Sequence, residues 1–257
     1  MDLRLHGTVT LVTGGTDGLG AALAERLVEE GGRVAICGRD PDRLAAAHER
    51  LTAAGGDVVA VRADVTVPGE VEAFVGAALD SWGRIDALVN NAGKSVTGAL
   101  ADVGDDAWAA DLDLKVIAAV RATRLVVPAL AAGGGGSVLN VLAVAGKAPA
   151  AGSLPTAASR AAGLAVTKAL SKELGPAGIR VNAVLIGVVA SGQWRRRAEA
   201  QGRPVDELYT ELGAGVPLGR VGREEEFADL AAYLISDRAS YVTGVAVNLD
   251  GGASPVV

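Results

Sequence analysis

The chain has one cysteine, one methionine, two histidines, and only three Trp, three Tyr and two Phe among 257 residues. A lone cysteine, Cys37, excludes an internal disulfide and a cysteine-based metal centre, and no metal site is expected elsewhere. So few rings imply an aliphatic core, and Cys37, inside an apolar run, is expected to lie in it. Excess positive charge is also missing: 24 Lys and Arg face 30 Asp and Glu, a net charge of −6. That balance argues against a sequence-independent grip on nucleic acid or on an anionic membrane. The triplet Arg195-Arg196-Arg197 reads as a solvated helix face. No apolar run approaches the ~18–20 residues that span a bilayer. No secretory signal follows Met1, so a cytoplasmic location is expected.

What the chain does have is Ala, Val, Leu and Gly in alternating patterns. Apolar runs at 8–14, 33–38, 57–65, 85–93, 137–143, 179–187 and 244–252 read as strands. Helical patterns lie between them, at 18–30, after Asp40-Pro41, over an unbroken 105–132, within 154–170 and at 224–236. Buried strands alternating with helices predict a parallel sheet covered on both faces, a doubly wound α/β fold. No linker or repeat divides the chain, so residues 1–257 read as a single domain. Residues 188–220 fit the alternation poorly and read as a helical lid beside a substrate pocket.

"TGGTDGLG", Thr13 to Gly20, sits at the first strand-to-helix junction. Glycines there allow a tight turn and a close backbone approach to a pyrophosphate, and the helix N-terminus favours the anion. Together with Asp64-Val65, Asn90-Asn91-Ala92-Gly93, Ile179-Arg180-Val181-Asn182 and Asp250-Gly251-Gly252, this loop resembles the short-chain dehydrogenase/reductase family from end to end. The resemblance implies a Rossmann fold, NAD(P)(H), a small carbonyl or alcohol substrate and a homo-oligomer, dimer or tetramer. The cofactor residues it implies are Gly14, Thr16, Asp17, Gly18, Leu19, Gly20, Arg39, Asp64, Val65, Asn91, Ala92, Gly93, Arg160, Gly187 and Val188. Arg39, ending the second strand where an acid would bind a ribose hydroxyl, favours NADP; Asp17 weighs toward NAD, which stays open.

Relatives in this family carry an Asn, Ser, Tyr and Lys relay. Those positions fall on Lys115, Ala143, Thr156 and Arg160. Threonine is a far weaker acid than tyrosine, and arginine stays protonated. Lys115, Thr156 and Arg160 are therefore the candidate catalytic set, with Lys115 as replacement proton donor and Thr156 as its positioner. Lys94 and Lys147 are expected near the same mouth, which would suit an anionic substrate. Ser153 and Ser159 read as local hydrogen bonders, and Lys115 has a possible partner in Asp111. Two other readings stand beside the oxidoreductase. One is an inactive cofactor-binding or structural subunit that pairs with an active homologue. The other is non-redox chemistry in a cationic cleft.

Overall fold

The computed structural model describes residues 2–257. Among the described residues nine strands run in chain order: β1 (Val9–Thr13), β2 (Arg33–Gly38), β3 (Asp57–Arg62), β4 (Ala87–Asn90), β5 (Thr97–Gly98), β6 (Gly136–Ala143), β7 (Leu154–Pro155), β8 (Ile179–Ile186) and β9 (Ala246–Leu249). Seven form one all-parallel sheet in the order β3-β2-β1-β4-β6-β8-β9. The helices are α1 (Gly18–Glu29), α2 (Pro41–Ala53), α3 (Pro68–Trp82), α4 (Asp105–Leu112), α5 (Ala118–Ala132), α6 (Thr156–Glu173), α7 (Gly192–Ala200), α8 (Val205–Gly213) and α9 (Glu224–Ile235). This is the doubly wound Rossmann-type architecture that the alternation predicts.

The sheet is buried on both faces because its strands supply apolar residues to both. In β1, Val9 and Leu11 pack on one side with Ala35 and Cys37 of β2, against α3 and α5. Val12, Val34 and Ile36 point the other way, against α1 and α9. Successive side chains of a strand alternate between faces, so a continuous apolar run serves two layers at once. The core is aliphatic apart from Phe74 and Phe227, which are fully buried, one in each layer. Burial pushes the Cys37 thiol up to about 12, so it is an inert core group.

Two stretches depart from the sequence pattern. The helix expected at 105–132 is interrupted by a π turn over Asp113–Ile117. The segment at 154 begins with β7, which pairs antiparallel with β5, and α6 starts only at Thr156. Strands β3 and β4 are also shorter than their apolar runs, because the chain leaves the sheet at 63 and at 91 to form the crevice edge.

Arg180 shows how the β8 side is tied down. Its guanidinium donates to the carbonyls of Leu234 (2.7 Å), Ile235 (3.1 Å) and Ser236 (3.0 Å), at the C-terminal end of α9. A cation there satisfies orphan carbonyls and complements the helix dipole. Arg180→Met is expected to cost about 2–4 kcal/mol of stability, read as a lowered midpoint in urea unfolding; an unchanged midpoint would refute this role.

Candidate functional site

The strand order reverses between β1 and β4, and the crevice at their C-terminal ends is where such sheets bind ligands. The glycine loop leaves β1 there. Gly14 and Gly18 have positive φ (68° and 57°), a conformation that side chains with a Cβ rarely adopt. At Gly20 a Cβ would lie 2.2 Å from the Gly14 carbonyl oxygen, so α1 seats directly on the loop. Asn91 braces the turn: its Nδ2 donates to the carbonyls of Thr13 and Gly14, both at 3.0 Å. The amides of Asn91 and Ala92 donate to Thr13 Oγ1. No side chain caps the first turn of α1, which leaves its amides to other acceptors.

Around the loop the charges are paired. Arg39, exposed at the end of β2, reaches Asp64 Oδ2 at 3.4 Å. Asp64 also accepts from the amide and hydroxyl of Thr66, and its own amide donates to Glu70. Asp17 accepts from Arg196 Nη1 (2.8 Å) and Arg195 Nη2 (3.3 Å). Burial works to raise the Asp17 carboxyl, but the two guanidiniums outweigh it and hold the group below its usual range. The arginine triplet is thus not a uniformly solvated face. Arg195 and Arg196 turn to the glycine loop, while Arg197 stacks over Trp194 at 5.4 Å.

Further along the crevice, α4, the π turn, α6 and the β5–β7 ribbon bring four polar side chains together. Lys115 Nζ donates to Asp111 and, at 2.7 Å, to Thr156 Oγ1. Ser159 Oγ donates to the other Asp111 oxygen at 2.6 Å. Thr156 Oγ1 also accepts from the Val96 amide (2.9 Å) and donates to the Val96 carbonyl (2.8 Å), so its hydroxyl proton is committed. The ribbon fixes this: Thr97 pairs with Pro155, one residue from each partner. Lys115 is 4% exposed. Burial pushes its ammonium down, Asp111 pulls it up, and the charges of Arg160 and Lys94 push it down again, to about 8.

Arg160 sits beside Lys115 in the wall of the same cleft, which Thr13, Asn90, Ala92 and Leu142 also line. Its Nη1 donates to the Val141 carbonyl at 2.7 Å, and its enclosed Nε has no partner among the described residues. Burial lowers it to about 10, so it remains a cation at neutral pH.

The other expected cations separate. Lys94 is exposed at the rim, close enough for its charge to act on Lys115. Lys147 turns away, donating to Ala246 and Asn248 of β9, because the turn after β6 delivers it to the sheet edge. Ser153 bonds locally to Ala150 and Ser159 lies 3.0 Å from the Thr156 carbonyl, local partners as expected, and Ser159 in addition reaches Asp111. Its spacing of three from Thr156 on one helix was the available signal. Tyr209 Oη has no hydrogen-bond partner among the described residues and takes no part in the Thr156 cluster.

The segment after β8 returns over the crevice. Gly187 lies against Asp250, where a Cβ would be 2.5 Å from the Asp250 Cβ, and Val188 accepts from Gly222. Gln193 Oε1 accepts from the Ser95 amide at 3.1 Å, so α7 touches the loop after β4 as well as the glycine loop. That contact and the Asp17 pairs carry no pattern in the linear sequence.

This crevice, with its glycine turn at a strand-order switch, defines a dinucleotide-binding α/β protein of Rossmann type. The family model described as Enoyl-(Acyl carrier protein) reductase matches residues 14–254, and the chain belongs to the short-chain dehydrogenase/reductase family. It is 33% identical over 252 residues to the 3-oxoacyl-acyl-carrier-protein reductase FabG of Chlamydia pneumoniae, covering 98% of this chain and 99% of that one. An L-sorbose reductase from Gluconobacter frateurii, solved with NADPH and L-sorbose, superposes with a TM-score of 0.94 at 30% identity over the whole of both chains. An NADPH-bound short-chain oxidoreductase from Pseudomonas aeruginosa, described as containing an atypical catalytic center, gives a TM-score of 0.92 at 34% identity, covering 98% of this chain and all of that one. Among the described residues no helix is long and apolar enough to cross a membrane.

Proposed function

We propose that this chain is an NADP(H)-dependent oxidoreductase that interconverts a small carbonyl compound and its alcohol, with Lys115 as the proton donor. In this reading residues 1–257 act as one Rossmann-type domain and 188–220 form the substrate lid. Thr156 and Arg160 occupy the places where relatives carry tyrosine and lysine. Several features fit a dinucleotide. The loop tolerates no Cβ at Gly20, the first turn of α1 has no side-chain cap, and Arg160 keeps an enclosed Nε without a partner. Gly14, Thr16, Gly18, Leu19 and Gly20 would hold the pyrophosphate. Asp64 and Val65 would flank the adenine, and Asn91, Ala92, Gly93, Gly187, Val188 and Arg160 the nicotinamide riboside. When bound, the nicotinamide supplies or accepts the hydride.

The observation that carries the reading is the inventory of Lys115. An ammonium has three N–H donors; two are spent on Asp111 and Thr156. The third has no acceptor among the described residues, and we assign it to a substrate oxygen; Lys115 borders the cleft, with its side chain closed off from solvent. Once that proton is given up, the amine still has two N–H groups for the same two acceptors. Its lone pair then faces the alcohol for the reverse step. Thr156, its own proton held by Val96, positions Lys115 and donates nothing to substrate. Arg160 adds fixed positive charge beside a developing oxyanion.

Lys115→Met tests this. NADPH binding by fluorescence titration is expected to stay within a few-fold of wild type. Carbonyl-dependent NADPH oxidation is expected to fall roughly 10²–10⁴-fold, the usual worth of a general acid. Turnover unchanged in the variant would remove Lys115 from the chemistry. Wild-type binding without turnover across a broad carbonyl panel would favour a non-catalytic subunit.

A further inference from the structure

Residues 93–96 cross the mouth of the Lys115 crevice and are held on both sides of Lys94. Gly93 lies against Arg160, where a Cβ would be 3.0 Å from Nη2. The Ser95 amide donates to Gln193 Oε1 at 3.1 Å. Val96 donates its amide to Thr156 Oγ1 at 2.9 Å, and its carbonyl accepts the Thr156 hydroxyl at 2.8 Å. The backbone of Lys94 is therefore placed by the same contacts that fix Thr156 beside Lys115, while its side chain is exposed.

The charges around this mouth do not balance. Lys94, Lys115 and Arg160 bring three cations, and the charges of Lys94 and Arg160 both act on Lys115. Among the described residues Asp111 is the one carboxylate within ion-pair distance of any of them, and it reaches Lys115. Its other oxygen is taken by Ser159. Arg160 has the Val141 carbonyl for Nη1 and no acceptor for its enclosed Nε. Two positive charges are left over, in a chain where 30 acids outnumber 24 cations. A bound dinucleotide would not cancel them. In the reading above its phosphates rest on the glycine loop, and its nicotinamide end is neutral when reduced and positive when oxidised.

Resting on that oxidoreductase reading, we infer that the substrate is an oxo acid, a carbonyl compound with its own carboxylate, and that Lys94 selects for it. The carbonyl oxygen lies inward toward Lys115, and the carboxylate meets Lys94 at the mouth. Lysine suits that place, because a long apolar stem carries a compact, well-hydrated charge to the rim. The substrate anion brings the mouth toward neutrality, and the cations draw the acid to one cleft of an acidic protein. This pairing is partly solvated, so its contribution falls with salt.

The test compares acids with their amides, which keep the shape and lack the charge. The probes are 2-oxobutyrate, acetoacetate and levulinate, against 2-oxobutyramide, acetoacetamide and levulinamide. NADPH-dependent reduction is followed at about pH 6.5, where Lys115, with its value of about 8, is protonated. In wild type at least one acid is expected to exceed its amide in kcat/KM by roughly tenfold, an advantage that shrinks as salt is added. In Lys94→Gln the acid-to-amide ratio is expected to fall roughly fivefold, the upper range of an exposed ion pair, and Lys94→Arg should keep most of it. A loss common to acid and amide cancels in this ratio, so damage to the fold does not imitate the effect. Lys172→Gln, which removes the same charge at the opposite end of α6 from Thr156, is expected to leave the ratio as it is. Amides reduced as well as acids by wild type, or a ratio unmoved in Lys94→Gln, overturns the inference and leaves the oxidoreductase reading standing. Reduction of neutral carbonyls but of none of these probes does the same. No NADPH oxidation with any carbonyl overturns both.

Discussion

Carbonyl reduction by this chain is expected to fall as the pH rises through about 8, and oxidation of the corresponding alcohol to rise over the same interval. The position follows from Lys115. Burial lowers its ammonium from 10.5, the Asp111 contact restores part of the loss, and Arg160 and Lys94 lower it again, to about 8. Reduction needs the protonated form and oxidation the free amine, so the two profiles must cross. Asp111→Asn removes the contribution that raises the group, and the break is expected to move to lower pH with reduction weakened at neutral pH. Ser159→Ala, which loosens Asp111 without touching Lys115, is expected to act in the same direction and less strongly. The measurement is kcat/KM for NADPH oxidation from pH 6 to 10 in wild type and both variants. A break that stays in place in Asp111→Asn would separate the titrating group from Lys115. Lys115 also bears on stability. Its folded-state value lies below its unfolded one, so the unfolded chain holds more protons between about 8 and 10.5. The contribution of Lys115 to folding therefore improves with pH across that window.

Gly20→Ala is expected to weaken dinucleotide binding severely and to destabilise the fold, although alanine is the better helix former. The gain from helix propensity is about 1 kcal/mol. Against it stands a Cβ placed 2.2 Å from the Gly14 oxygen, 2.5 Å from Asn91 Nδ2 and 3.0 Å from the Gly14 carbon. Two of these are backbone atoms in a loop braced by Asn91, and neither can swing aside. Overpacking of this kind costs roughly 1–3 kcal/mol and occasionally more, and relief requires moving the turn that would receive the pyrophosphate. The net loss is expected at about 2 kcal/mol, with NADPH affinity down at least 10²-fold. Gly76→Ala is the contrast: it lies within α3 with nothing within 4 Å of its Cβ. It should gain up to about 1 kcal/mol. Thermal melts and NADPH titration of the two variants decide the matter, and similar behaviour in both would refute the steric argument.

Much of this was legible from local pattern. Apolar runs such as that of β1, buried along its whole length, could only be strands covered on two faces. Gly14, Gly18 and Gly20 declared the loop because their chemistry is backbone chemistry. Asp111 and Lys115 sit four apart on a helical segment, so their pairing was readable too. What escaped depends on contacts far apart in the chain. Thr156 takes its geometry from Val96 through the β5–β7 ribbon, two residues per strand, too short to leave a period. Lys147 looked like a mouth residue until β9 claimed its ammonium. Asp17 read as an obstacle to a 2′-phosphate, because nothing in the linear order shows Arg195 and Arg196 folded back onto it.

The π turn settles a conflict of angles. From α4 to α5 the buried positions are 111, 115, 118, 122, 123, 126 and 130. At roughly 100° per residue, an unbroken α-helix would carry the last of them about 100° around from the first. An unbroken helix would then spread its carboxylate and ammonium, and Val126 and Leu130, over an arc of about 100°. One widened turn absorbs the surplus rotation. The two halves of the rod are thereby phased independently, one by the polar cluster of Asp111 and Lys115 at the crevice and the other by the hydrocarbon it covers.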